Sequence, residues 1–146
     1  MVYNNLNAAK PIRVSKATAD LPQTDVATLF TISGGKVLVS DIIGEVTTII
    51  EAGANNTKLL SNPTVGASVD LCAVLDIAED AVGTMYGITG TFTDALTETT
   101  SGAGTSQTDP VLVAPGTIEL SCDASKTGKI KWVLFYIPVD EGAKVV

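Results

Sequence analysis

Apolar residues in this chain recur at every second position, in short stretches cut by Gly, Pro, Asn and Thr. A β-strand points successive side chains to opposite faces, so a period of two marks strands that bury one face. The clearest alternation runs from 68 to 77. Val69, Leu71, Ala73, Leu75 and Ile77 fall on one side, with Ser68, Asp70, Cys72, Val74 and Asp76 on the other. This predicts a half-buried antiparallel strand. Strand patterning also begins at Asp25, where Val26, Thr28, Phe30 and Ile32 alternate with Ala27, Leu29 and Thr31, and returns over 37–43. Ser33-Gly34-Gly35-Lys36 between these two predicts a hairpin turn, because Gly-Gly readily takes the positive φ of primed turns. Gly44 is expected to mark a bulge or bend before 46–50, whose β-branched residues favour strand over helix.

The rest of the chain continues the pattern. Asn55-Asn56 reads as a turn before 57–60, and 78–82 as a brief helical turn. Residues 84–93 suggest one or two strands with glycine kinks. The segment 97–109 is Thr, Ser and Gly with almost no apolar content, an exposed loop. Strands resume at Val111–Val113 and Thr117–Cys122, with Ala114-Pro115-Gly116 as a tight turn. The final strand, 128–139, carries Trp132, Phe135 and Tyr136. Its two faces, Ile130, Trp132, Leu134, Tyr136 against Lys131, Val133, Phe135, Ile137, are both largely apolar. Such a strand is either buried wholly in the core, or packs one face on the core and the other on a neighbouring subunit. Residues 1–24 read as an extended arm, since Pro11 and Pro22 forbid a continuous helix. The expectation is an all-β, single-domain antiparallel β-sandwich or jelly roll over 25–146, built from about eight strands, with an N-terminal arm over 1–24.

Composition narrows the function. At 146 residues the chain suits one domain, and with 45% hydrophobic and only 17% charged residues it is too apolar to be disordered throughout. Surplus apolar surface is commonly covered by a partner or by copies of the same chain. There is no histidine. That removes the commonest metal ligand and the side chain best suited to proton transfer at neutral pH. The net charge of −7 argues against binding nucleic acid or an anionic membrane. Basic residues nevertheless cluster at Lys10, Arg13 and Lys16, and again at Lys126, Lys129 and Lys131. The first residues lack the apolar core of a signal peptide, and no apolar run approaches the roughly 20 residues of a membrane span. Cys72 and Cys122 share no CxxC spacing and are expected as free, partly buried thiols in a protein assembled in cytoplasm.

Motifs of chemistry are missing. The sequence holds no GxSxG elbow, HExxH helix or P-loop. Sixteen acids offer many carboxylate pairs, but nothing in their spacing selects one for glycoside hydrolysis. Asp76, Glu79 and Asp80 lack the order of an EF-hand loop, and a solvated charged loop is expected there. No enzyme, cofactor or metal site is expected.

Several stretches carry a resemblance. They are Thr28-Leu-Phe-Thr-Ile-Ser-Gly-Gly-Lys-Val-Leu-Val39, Ile43-Gly-Glu-Val-Thr-Thr48, Val69-Asp-Leu-Cys-Ala73, Gly87-Ile-Thr-Gly90 and Lys131-Trp-Val-Leu-Phe-Tyr-Ile-Pro-Val-Asp140. Together, over roughly 25 to 141, the chain resembles the capsid decoration, or cement, proteins of tailed bacteriophages. The resemblance implies a virion protein on the capsid exterior, assembled in the host cytoplasm. Its partners would be the major capsid protein and further copies of itself, often as a homotrimer. On that expectation Lys10, Arg13 and Lys16 steer and anchor the arm, Ile12 and Val14 pack along the capsid, and Trp132, Phe135 and Tyr136 supply core and subunit-interface packing. The alternative is a phage head-fibre or tail-associated receptor- or carbohydrate-binding module, with the 97–109 loop as its recognition element. That loop has no aromatic residue, which counts against it. A self-polymerising tail-tube or pilin-like subunit comes third, and a small hydrolase last.

Overall fold

The computed structural model describes residues 10–146. In chain order its strands are β1 (Ile12–Asp20), β2 (Val26–Ser33), β3 (Val37–Thr48), β4 (Asn56–Pro63), β5 (Val69–Asp70) and β6 (Leu75–Asp76). They continue with β7 (Met85–Gly87), β8 (Thr97–Thr99), β9 (Val111–Val113), β10 (Gly116–Cys122), β11 (Lys129–Pro138) and β12 (Lys144–Val145). The described residues include no helix. Two antiparallel sheets result. The first runs β1-β11-β3-β7-β8, with β9 also on β3, and the second runs β12-β2-β10-β4-β5, with β6 also on β4. This is the β-sandwich that the period-two patterning implies.

The inner faces of the two sheets share one core. Ile130, Trp132, Leu134 and Tyr136 of β11, with Val37, Val39, Ile42 and Val46 of β3, pack with Phe30, Ile32, Leu59, Ile118 and Leu120 of the second sheet. Bulges keep the burial in phase. Tyr136 aligns with Val39 but Phe135 with Asp41, so Ser40 is the extra residue and the buried positions of β3 switch from odd to even numbers. Likewise Ile118 aligns with Phe30 and Glu119 with Thr28, which lets Leu29 and Phe30 both be buried.

Several local expectations are corrected. Ser33–Lys36 does not close a hairpin: β2 and β3 belong to different sheets, and the turn carries the chain across the sandwich. Gly34 and Gly35 do take positive φ, 79° and 143°. What fixes the crossing is distant chain, for Lys36 N–H donates to Asp140 Oδ2 at 2.8 Å. Gly44 interrupts nothing, and β3 continues through it. The alternating stretch 68–77 is not one strand. β5 and β6 each take two residues, because the chain dips between them and buries both Leu71 and Cys72. Leu59 anchors that dip, accepting from Leu71 N–H at 2.9 Å and donating to Cys72 Sγ at 3.4 Å. Residues 78–82 form turns and not a helical turn, 84–93 hold only β7, and the first residues of the expected 97–109 loop pair with β7 as β8. Ala114–Gly116 also carries the chain between sheets, from β9 to β10.

Of the stretch expected as an extended arm, residues 1–9 lie outside the described residues. Ile12–Asp20 is extended and forms an edge strand against the chain's own β11. Pro11 and Pro22 flank β1, where a missing N–H removes no ladder bond.

Candidate functional site

β11 lies between β1 and β3, so its outward side chains occupy the middle of the first sheet's outer face. A sheet face exposed to water normally carries polar side chains. This one does not. Val133, Phe135 and Ile137 project outward and are half-buried. Register places Ile43 opposite Val133, Leu38 opposite Ile137, and Leu112 of β9 opposite Leu38. Leu112 is 57% exposed. An apolar strip therefore crosses three strands on the outer face of the first sheet, with the 104–107 segment beside its Ile43 end. Charged groups flank it and, at Asp41 between Leu38 and Ile43, interrupt it. Arg13 of β1 and Asp41 of β3 stand opposite Phe135 on its two sides. Lys131 pairs with Glu45 at 3.3 Å. Both partners of that pair are exposed, so it contributes at most about 1 kcal/mol. A depression of about 340 Å³ lies beside the strip, lined among others by Arg13, Ser15, Glu45, Lys131 and Val133.

The residues expected as an arm divide between two surfaces. Arg13 shares the outer face with Phe135, and its Nη1 donates to Ser15 Oγ at 3.1 Å. Ile12, Val14 and Lys16 stand opposite Tyr136, Leu134 and Trp132, on the inner side of the edge strand. There Val14 packs against the core, Lys16 is half-buried beside Trp132, and Ile12 stays 45% exposed. Lys16 thus lays its aliphatic stem along the open flank of the sandwich. Lys10 is exposed just before β1.

The three aromatics of β11 divide in the same way. Trp132 and Tyr136 are core residues, 2% and 4% exposed, while Phe135 belongs to the outer strip. Trp132 stacks with Tyr86, ring centroids 6.4 Å apart. Sequence alone marks the outer half of β11 as apolar. The contributions of Leu38, Ile43 and Leu112 depend on strand order, which no local pattern encodes.

The acidic cluster is engaged structurally. Asp76 Oδ1 accepts from the backbone N–H groups of Asn55 at 2.9 Å and Ala78 at 3.1 Å, which hold its carboxyl below the usual aspartate value. The Tyr86 hydroxyl donates to Asp80 Oδ2. Burial, then this hydrogen bond and the Asp80 charge, push the Tyr86 phenol up. Among the described residues no three His, Cys, Asp or Glu side chains converge as metal ligands. Cys72 and Cys122 are free and buried.

Comparison with known proteins returns no match to a family model, to a curated protein or to a solved structure.

Proposed function

We propose that this chain is a structural protein of a tailed-phage virion, which binds the outer surface of the assembled capsid and stabilises it. The observation that carries this reading is the outer face of the first sheet, where the half-buried Val133, Phe135, Ile137 and Leu38 and the exposed Leu112 form an apolar strip. Apolar side chains grouped on a solvent-facing sheet and bordered by charge are characteristic of docking sites. A sheet face also presents a fixed, rigid surface, so little ordering entropy opposes docking.

The mechanism is mass action. A protein that binds the shell and not its separated subunits stabilises the shell by about 2.7 kcal/mol per site at a concentration a hundredfold above Kd. Arg13, on the docking face, sets register and speeds encounter with an acidic capsid surface, and Lys10 adds to the same field. The resemblance to decoration proteins supports the capsid as partner and the homotrimer as working unit, placed on the capsid exterior.

Size-exclusion chromatography with light scattering, followed by pelleting with capsids that lack this protein, tests the proposal. A trimer that co-sediments and raises the capsid melting temperature is expected. A chain that stays in the supernatant at every concentration overturns it.

A further inference from the structure

Charge divides between the two flanks of the sandwich. β1 ends the first sheet on one side and β8 on the other, and each has a strand partner along one edge only. β1 lies over β2, for Lys16 and Leu29 line the same hollow of about 120 Å³ between the sheets. On this flank Lys10 and Arg13 are exposed and Lys16 is half-buried. Lys144 is exposed on β12, the end strand of the second sheet on that side. The one acid of β1, Asp20, already pairs with Lys129 at 3.8 Å. Among the described residues Lys10, Arg13, Lys16 and Lys144 form no ion pair.

The opposite flank has the other sign. Ala73 N–H donates to the Asp94 carbonyl at 2.7 Å, and Leu96 N–H donates to the Ala73 carbonyl at 3.0 Å. These bonds tie the β5–β6 segment to the residues leading into β8, so the two sheets close that side together. Residues 59–125, which supply β5 to β8, contain no Lys or Arg. Asp70, Asp76, Asp94 and Glu98 are exposed there. Of these four, among the described residues, only Asp70 meets a cation, Lys58 at 2.9 Å. Exposed apolar side chains stand beside the charges, Ile12 on the first flank and Val74 and Phe92 on the second.

We propose that these unlike flanks bind each other between copies, so that the chain self-associates head to tail. The occupant of the basic β1 flank is the acidic β5–β8 flank of a second copy. Like flanks repel, which disfavours the two-fold pairing of β1 with β1 that an open strand edge otherwise invites. A contact between two different surfaces of one chain repeats from copy to copy, and closes into a ring where the rotation allows. It leaves the outer face of the first sheet free and does not rest on capsid docking.

The test is sedimentation equilibrium of the whole chain without capsids, at about 0.1 M and about 1 M NaCl, where the screening length falls from about 10 Å to about 3 Å. Association at low salt that weakens at least tenfold at high salt is expected. Lys10→Glu with Lys16→Glu, and separately Asp94→Lys with Glu98→Lys, should each abolish it, with circular dichroism reporting the fold. An equimolar mixture of the two variants should associate again, because every contact between unlike variants regains opposite charges. A chain that stays monomeric at about 100 μM and low salt overturns the proposal, even if it pellets with capsids. So does association that the reversals or salt leave unchanged, or a mixture of two folded variants that stays monomeric. Where one variant fails to fold, the salt series and the other variant decide.

Discussion

Gly44 of β3 lies directly across from Trp132 of β11, and a Cβ built on Gly44 would stand 2.7 Å from the indole ring. Tyr86 flanks Gly44 from the other side and stacks on the same indole. The glycine is therefore the gap into which the ring packs, and the residue expected from the sequence to bend the chain is what lets the core close around β3. Gly44→Ala overpacks this contact and should destabilise the chain by about 1–3 kcal/mol. Adding Trp132→Leu to Gly44→Ala should recover part of the Gly44→Ala loss when compared with Trp132→Leu alone. Urea denaturation of the four chains checks this, and simple additivity would show that the two positions are not coupled.

Leu134 and Phe135 are neighbours in sequence on opposite faces of one strand. Leu134 is fully buried, so Leu134→Ala should cost about 2–5 kcal/mol. Phe135 is half-buried on the outer strip, so Phe135→Ala should cost clearly less in the isolated protein. Equal losses for the two would mean that the outer face is already covered in solution, as it would be in an oligomer that uses it.

Burial is the main cause that pushes both thiols, Cys72 and Cys122, above the ordinary value. A buried, protonated thiol is inert. Ellman's reagent at pH 8 should label neither cysteine in the native chain and both in denaturant. Rapid native labelling of either would contradict the core as described.

Glu98 stands opposite Tyr86 across β7 and β8, close to Asp80. Burial, then the Asp80 charge and hydrogen bond, raise its carboxyl above the ordinary 4.5. The folded chain thus holds this proton more tightly than the unfolded chain does. The resulting stability is fully present below 4.5 and is lost as pH rises through the folded value. Glu98→Gln, which cannot ionise, should raise the melting temperature at pH 7 and leave it unchanged below 4.5. Thermal melts across that range decide it, and an equal effect at both ends would point to packing instead.

The strands with strong two-residue periodicity and no competing contact, β2 and β11, are legible in the sequence. Others needed information that no window holds. Ser33-Gly34-Gly35-Lys36 has the local chemistry of a hairpin, yet the contact of Lys36 with Asp140 sends it across the sandwich. Residues 69–77 alternate well, yet the pull of Leu59 on Leu71 and Cys72 breaks the strand. The candidate docking face was half legible. The apolar outer row of β11 is visible in Val133, Phe135 and Ile137, whereas its neighbours Leu38 and Leu112 come together only through the order β11-β3-β9.

The most direct measurement is capsid pelleting of the chain carrying Val133→Ser and Phe135→Ser together, beside the unaltered chain, with circular dichroism confirming that both are folded. Loss of co-sedimentation with the fold intact is the predicted result. A folded double variant that still pellets with capsids as the unaltered chain does would contradict docking through this face.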